Sequence, residues 1–234
     1  MYWLIVILII VVVVLTVLFW ASANIGSNVY LKTICRAKTQ QKVVALSFDD
    51  APNAEMTPRV LDVLKAHNVK AMFCLIGQEA ERNPELVRRI VEEGHIVANH
   101  TYNHSGRFTI SGPEQVRAQL ERCNDVIYSL IGRKPRIFRP PFGVTNPTIG
   151  KVVRGMNFYT IGWTIRSLDT IYGDRVEAMC ERVVRKLHPG AIILLHDRCA
   201  NADRAVAMLI ERIQEQGYEI MPLQEMLNMN GYED

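Results

Sequence analysis

Two adjacent carboxylates, Asp49 and Asp50, follow the apolar run Val43-Val44-Ala45-Leu46-Ser47-Phe48. Side by side they repel one another, so they need a metal ion, a proton or a cation close by. A run that short, rich in valine and ended by Ala51-Pro52, reads as a buried strand. In α/β folds, functional groups gather where such strands emerge from the core. For an isolated Asp-Asp the simpler reading is a polar turn that caps a helix near Thr57. The balance shifts with the groups further along the chain: His100 with His104, Arg139, Asp169 and His196, each at the exit of an expected strand. His100 and His104 stand four residues apart, a spacing that puts two imidazoles on the same face of one helical turn. Two imidazoles plus a carboxylate from elsewhere make a three-ligand site for zinc or a similar divalent ion, with one coordination position left for water.

These groups act together only if the chain delivers them to one place. From about residue 42 onward, short apolar segments alternate with amphipathic ones, which argues for an α/β fold with a largely parallel sheet. Strands are expected over 43–48, 69–76, 96–98, 137–138, 158–164, 191–195 and 219–221. Helices are expected from Thr57-Pro58, Asn83-Pro84, Pro113 through Ile131 to Gly132, Asn146-Pro147, over 174–187, up to Ile213, and from Pro222. Alternation of this kind brings every strand exit to a single rim.

The 234 residues suffice for one substantial core with an N-terminal appendage. A net charge of +3, spread rather than clustered, calls for no nucleic-acid partner. From Tyr2 to Trp20 the chain is almost wholly Leu, Ile, Val and aromatic, and no charged side chain precedes Lys32. That stretch is long enough to span a bilayer as a helix, with Tyr2, Trp3 and Trp20 where interfacial aromatics belong. Ala21-Ser22-Ala23 resembles a signal-peptide cleavage site, but the run is long for a signal peptide and lacks a basic leader. Residues 1–23 are therefore expected to be an uncleaved membrane anchor rather than a signal peptide. Residues 24–41 are expected to be a linker and 42–234 the globular domain. Lys32, Arg36, Lys38 and Lys42 follow the span and by the positive-inside rule favour the cytoplasm, although long domains translocate largely regardless of such charge. Five cysteines, odd in number and scattered, make neither a disulfide framework nor a CxxC site. Cys74 and Cys180 read as small core residues.

Ser47-Phe48-Asp49-Asp50, His100 with His104, Arg139-Pro140-Pro141-Phe142-Gly143, the segment from Trp163 to Asp169, and Leu194-Leu195-His196 together resemble the five motifs of the polysaccharide deacetylases. This is the carbohydrate esterase family 4, or NodB homology, domain. The motifs stand in the family's order, and the resemblance covers nearly everything after about residue 40. It implies a distorted (β/α) barrel and the removal of N-acetyl or O-acetyl groups from sugars. It implies Asp50, His100 and His104 as metal ligands, most often for Zn²⁺, and Asp49 as the general base for the attacking water. The backbone N–H of Phe142 matches the family's oxyanion donor. His196 matches the general acid that protonates the departing amine. Arg139 would hold Asp49 ionised, and Asp169 would do the same service for protonated His196. Trp163, Leu194 and Pro141 would line the pocket, although on residue type alone Trp163 and Leu194 read equally well as core.

Three stretches depart from the family's pattern. Ala51 stands where a glycine is usual, and Phe142 where a tyrosine is common. Arg166-Ser167-Leu168-Asp169-Thr170 replaces a segment that usually has acids at its first and fourth positions and an aromatic at its last. Asp169 keeps the fourth, so the expectation is altered substrate recognition rather than lost catalysis. His67, His95 and His188 match no motif and are expected to be structural or exposed.

The expected activity is metal-dependent removal of acetyl groups from an N-acetylated sugar of a cell-wall or membrane-associated glycan. The expected location is a single-pass membrane protein with its catalytic domain outside the cytoplasm. The opposite topology would instead present a lipid-linked or small amino sugar. A non-catalytic glycan-binding module on the same fold has no need of both Asp49 and His196. A phosphate-ester hydrolase would want more carboxylates at the strand ends.

Overall fold

The computed structural model describes residues 2–233. In chain order the strands are β1 (Thr33–Ile34), β2 (Val43–Ala51), β3 (Met72–Leu75), β4 (Ile96–Asn99), β5 (Ile137–Phe138), β6 (Tyr159–Ile161), β7 (Ile165–Arg166), β8 (Ala191–His196) and β9 (Glu219–Ile220). The helices are α1 (Tyr2–Ala23), α2 (Met56–Ala66), α3 (Gly77–Arg82), α4 (Pro84–Glu92), α5 (Pro113–Ile131), α6 (Pro147–Gly155), α7 (Asp169–Tyr172), α8 (Val176–Val184), α9 (Ala202–Glu215) and α10 (Leu223–Met226). All ladders between these strands are parallel, in the order β1-β6-β5-β4-β3-β2-β8-β7, with β9 paired to the first residues of β2. The sheet curls into a half-barrel with helices outside, the distorted (β/α) architecture expected of the NodB type.

Strand β2 is apolar on both faces because both faces are covered, as parallel sheets require. Val44, Leu46 and Phe48 face the outer layer, where they join Leu61 and Leu64 of α2, Met179 and Val183 of α8, and Leu209 and Ile213 of α9. The alternate residue Ala45 joins the inner layer with Met72, Cys74, Ile96, Ala98, Ile161 and Ile192. A buried Leu, Ile or Phe contributes about 1.5–3 kcal/mol. The outer layer is the larger and bulkier, so it carries most of the stability. The inner face can then afford the polar groups that Ser47 and Asp49 bring to it two and four residues after Ala45.

Helix α5 runs as expected, with Pro113 in its first turn and Gly132 closing it at φ 69°. Three expectations change. The segment read as a linker contributes β1, which pairs Thr33 with Thr160, and buries Ile25, Leu31 and Ala37. A two-residue strand has no periodicity to reveal it. The single strand expected over 158–164 is broken at Gly162, after which β7 leaves β6 and pairs with β8. Gly162 is a place of close approach: a Cβ there would lie 2.7 Å from Cys35 Sγ and 2.8 Å from Ile25 Cγ1. Finally, α3 precedes α4 without having been anticipated.

Helix α1 projects from this body, exposed along its length up to Trp20. Its 22 residues give about 33 Å, enough for the ~30 Å hydrocarbon layer of a bilayer. Its last turn is fastened to the domain. Thr145 N–H donates to the Ser22 carbonyl at 3.0 Å, and Ser27 Oγ to the Ala21 carbonyl at 2.7 Å.

Candidate active site

The site is built at the C-terminal mouth of the half-barrel. Arg139, just beyond β5, is wholly buried on the concave side. Its Nη1 donates to Asp49 Oδ1 at 2.7 Å and Ser47 Oγ at 2.9 Å, its Nε to the Ile161 carbonyl at 3.1 Å, and its Nη2 to the Gly162 carbonyl at 3.1 Å. Small Ala45 and Ser47 on β2 leave room for the guanidinium. Burial alone would push the Asp49 carboxyl up, but the charge and hydrogen bond of Arg139, with His100 and His196 nearby, hold it below the usual carboxylate range.

In a regular strand Asp49 and Asp50 would face opposite sides of the sheet. They share one cavity because Asp50 is left-handed, at φ 66°, and the β2–β3 register shifts between Phe48 and Ala51. Its Oδ1 lies 3.4 Å from His104 Nε2 and 3.6 Å from His100 Nε2. The two histidines do not sit on a helical turn, contrary to the sequence reading. They occupy an irregular loop after β4, bent back by left-handed Thr101 (φ 70°) and His104 (φ 47°). Asn99 holds that bend: its Oδ1 accepts from Thr101 N–H at 2.8 Å, while its Nδ2 donates to Asn124 Oδ1 and the Leu120 carbonyl on α5. Thr101 Oγ1 in turn accepts from His104 N–H at 3.1 Å. Non-glycine residues in such conformations cost about 1–3 kcal/mol each and persist where the surroundings over-determine them.

The donors fit a divalent cation. Four-coordinate zinc with bonds of about 2.0–2.1 Å needs ligand atoms roughly 3.3 Å apart. The Asp50, His100 and His104 atoms all lie within 4.8 Å of one another. His100 Nδ1 is engaged with the Arg139 carbonyl at 2.8 Å, which leaves Nε2 as its free nitrogen. Burial, aided by His100, lowers the His104 imidazole to about 4, so at physiological pH it is neutral and its lone pair is available to a cation.

His196, at the end of β8, is the register partner of Asp49. Its Nδ1 meets Asp169 Oδ1 at 2.9 Å, and its backbone N–H donates to Asp169 Oδ2 at 2.6 Å. Burial would depress this imidazole, but the Asp169 hydrogen bond and charge, with Asp49 and Asp50, raise it above its ordinary value.

Asp49, Asp50, His100, His104, Phe142, Trp163, Leu194 and His196 line one cavity of about 150 Å³, with Arg166, Thr170 and Arg198 at its edge. Pro141 is buried in the turn over 141–143 and is not among the lining residues. Phe142 is left-handed, at φ 60°, and packs its ring edge-on against His104 with centroids 4.7 Å apart. Sequence reasoning missed Arg198, whose Nε donates to Asp50 Oδ2 at 2.7 Å. It also missed Asp197, bonded to Thr57 Oγ1 and raised to about 7 by burial. Arg198 lies two residues past a recognised strand end, so its position was the available signal.

The polysaccharide deacetylase family model matches residues 36–161. A peptidoglycan-N-acetylglucosamine deacetylase of Bacillus cereus is 37% identical over 153 residues, covering 65% of this chain and 55% of its own length. The chain spans about half the length of curated relatives it matches, such as this one. Among solved structures, a peptidoglycan N-acetylglucosamine deacetylase in complex with a substituted N-oxidanyl-benzamide superposes with a TM-score of 0.80 at 30% identity, covering 85% of this chain and 94% of its own. A carbohydrate esterase family 4 pseudoenzyme from Bacillus anthracis superposes with a TM-score of 0.78 at 32% identity, covering 84% of this chain and 69% of its own. Fold alone therefore does not carry activity in such proteins, and chemistry depends on the residues in the cavity. In sequence, motif order and architecture alike, this chain belongs to the polysaccharide deacetylase family.

Proposed function

We propose that the chain is a metal-dependent hydrolase that removes acetyl groups from N-acetylated sugars of a cell-wall or membrane-associated glycan. One observation carries this reading: an Arg139-held carboxylate and an Asp169-held imidazole flank the Asp50, His100 and His104 cluster within a single cavity. The B. cereus relative, named for peptidoglycan N-acetylglucosamine, supports the substrate class.

Asp50, His100 and His104 would hold the cation, and zinc suits two imidazoles and a carboxylate. Such an ion supplies Lewis acidity, polarising the acetyl carbonyl and lowering the pKa of water toward neutrality. Asp49, kept ionised by Arg139, accepts a proton from the attacking water. The backbone N–H of Phe142 donates to the developing oxyanion. His196, with Nδ1 committed to Asp169, uses Nε2 to protonate the sugar nitrogen as the C–N bond breaks. Acetate and a free amine result. Trp163 and Leu194 enclose the acetyl methyl group.

Helix α1 is the single-pass anchor in this reading, with residues from about Ala23 onward outside the cytoplasm. Its support is the almost wholly apolar, exposed surface of the helix, which is long enough to cross a bilayer. An alkaline phosphatase fusion to the C-terminus is expected to be active, and a dark fusion reverses the topology. The activity is tested by acetate release from peptidoglycan, chitin oligosaccharides and lipid-linked amino sugars, before and after chelation. Release that is lost with the metal and restored by zinc is the expected result. Absence of acetate from every substrate contradicts the reading.

A further inference from the structure

The catalytic cavity opens beside the end of α1. A second cavity, of about 680 Å³, is lined on one side by Thr16, Phe19, Trp20 and Ala23 of α1. On the other side stand Phe142, Trp163 and Arg166, which also line the catalytic cavity, so the two spaces adjoin at these three side chains. Arg182 and Lys186 complete this wall, and no acidic residue lines the groove. Among the described residues, Arg166, Arg182 and Lys186 take part in no ion pair, and Arg182 Nε is buried without a hydrogen-bond partner.

The α1 residues in the groove follow a helical i, i+3, i+4, i+7 pattern, so they form one face. That face runs for about 10 Å along the helix axis. The junction is built in: Ser22 accepts from Thr145, two residues beyond Gly143, and Ile25 is buried against the domain. With α1 in a bilayer, Trp20 marks the interfacial level. The groove then runs from the catalytic cavity, past unpaired cations, to the headgroup region and the edge of the hydrocarbon.

We propose that the substrate is an amphiphile, an N-acetylated amino sugar joined through phosphate to a long hydrocarbon chain. The sugar occupies the catalytic cavity, the phosphate meets Arg166, Arg182 and Lys186, and the chain leaves along the Thr16–Ala23 face of α1. Guanidinium groups suit a phosphate through charge-assisted, bidentate hydrogen bonds. This inference rests on the deacetylase and anchor readings above and narrows the glycan to a lipid-linked one. General attraction to an anionic surface accounts less well for a cation shared with the catalytic cavity and for the buried, unpartnered Arg182 nitrogen.

The test uses the full chain in nanodiscs of zwitterionic phospholipid, with acetate release as the readout. Four substrates are compared: N-acetylglucosamine 1-phosphate on a long isoprenoid chain, the same sugar as a neutral long-chain glycoside, soluble N-acetylglucosamine 1-phosphate, and a chitin oligosaccharide. The isoprenoid phosphate is expected to have the highest kcat/KM. The double variant Arg182→Gln, Lys186→Gln is expected to lower the ratio of kcat/KM on this substrate to that on the neutral glycoside by about tenfold or more. Equal or faster release from the two soluble substrates overturns the inference while leaving the deacetylase reading intact. So does an unchanged ratio in the double variant, or equal stimulation of both long-chain substrates by anionic phospholipid that the variant abolishes, because the cations then serve the bilayer surface. Acetate from none of the four refutes the deacetylase reading and this inference with it.

Discussion

Replacing Arg139 by methionine removes the charge while keeping much of the volume. Arg139 is wholly buried, and Asp49 is only 5% exposed, so water cannot readily replace the lost partner. Breaking a buried pair from one side costs about 3–5 kcal/mol, because the remaining charge is left uncompensated. The Ile161 and Gly162 carbonyls lose donors as well, which places the result toward the upper end. For a domain of this size the corresponding fall in Tm is about 6–20 °C. The pH dependence changes sign with the substitution. In the native chain the Asp49 pKa is depressed, so the pair's stabilisation is present above the unfolded carboxylate value of about 3.9 and fades as pH falls through the folded value. In Arg139→Met burial prevails and the Asp49 pKa rises, so the variant loses stability as pH climbs above about 3.9. The gap between the two proteins should therefore narrow in acid. Thermal unfolding of both, with Asp49→Asn and the double variant, measures this as a function of pH. The double variant should be more stable than the sum of the single effects by about 1–3 kcal/mol. An Arg139→Met protein within about 1 kcal/mol of wild type at neutral pH, or a gap that widens in acid, refutes the reasoning.

His104→Ala is expected to lose bound metal while the fold persists, since the residue stands on a loop at the rim; metal content equal to wild type by elemental analysis removes it from the ligand set. Asp169→Asn should lower the His196 imidazole pKa, because burial is then opposed only by the charges of Asp49 and Asp50; an NMR titration reads the shift, and the alkaline limb of kcat/KM should move to lower pH with it. His196→Ala should lose far more rate on acetamide sugars than on activated acetyl esters, whose leaving groups need little protonation. Equal losses on the two substrates deny His196 the role of acid.

Much of this architecture could be read from residue patterns, for local reasons. The run 43–48 is apolar because β2 is covered on both faces, and Pro113 and Gly132 mark the ends of α5 through backbone chemistry confined to those residues. The gathering of Asp49, His100, Arg139, Asp169 and His196 followed from strand alternation alone. What escaped depends on tertiary geometry. His100 and His104 converge through left-handed Thr101 and His104, held by Asn99 against Asn124 on α5, and no periodicity encodes that bend. Asp50 shares a cavity with Asp49 only because the strand is irregular at that point. Strand β1 gains its identity from Thr160, over a hundred residues away. Arg198 shows its tie to Asp50 only when β2 and β8 lie side by side.

In the proposed mechanism Asp49 acts as base while Asp50, His100 and His104 hold the ion, and Asp49→Asn separates the two tasks. Metal content and acetate release should be measured on the same preparation of the full chain. The expected protein binds as much metal as wild type and releases acetate at least about a hundredfold more slowly, the typical share of a general base. A variant that keeps its rate, or that loses its metal together with its rate, contradicts the division of labour drawn here.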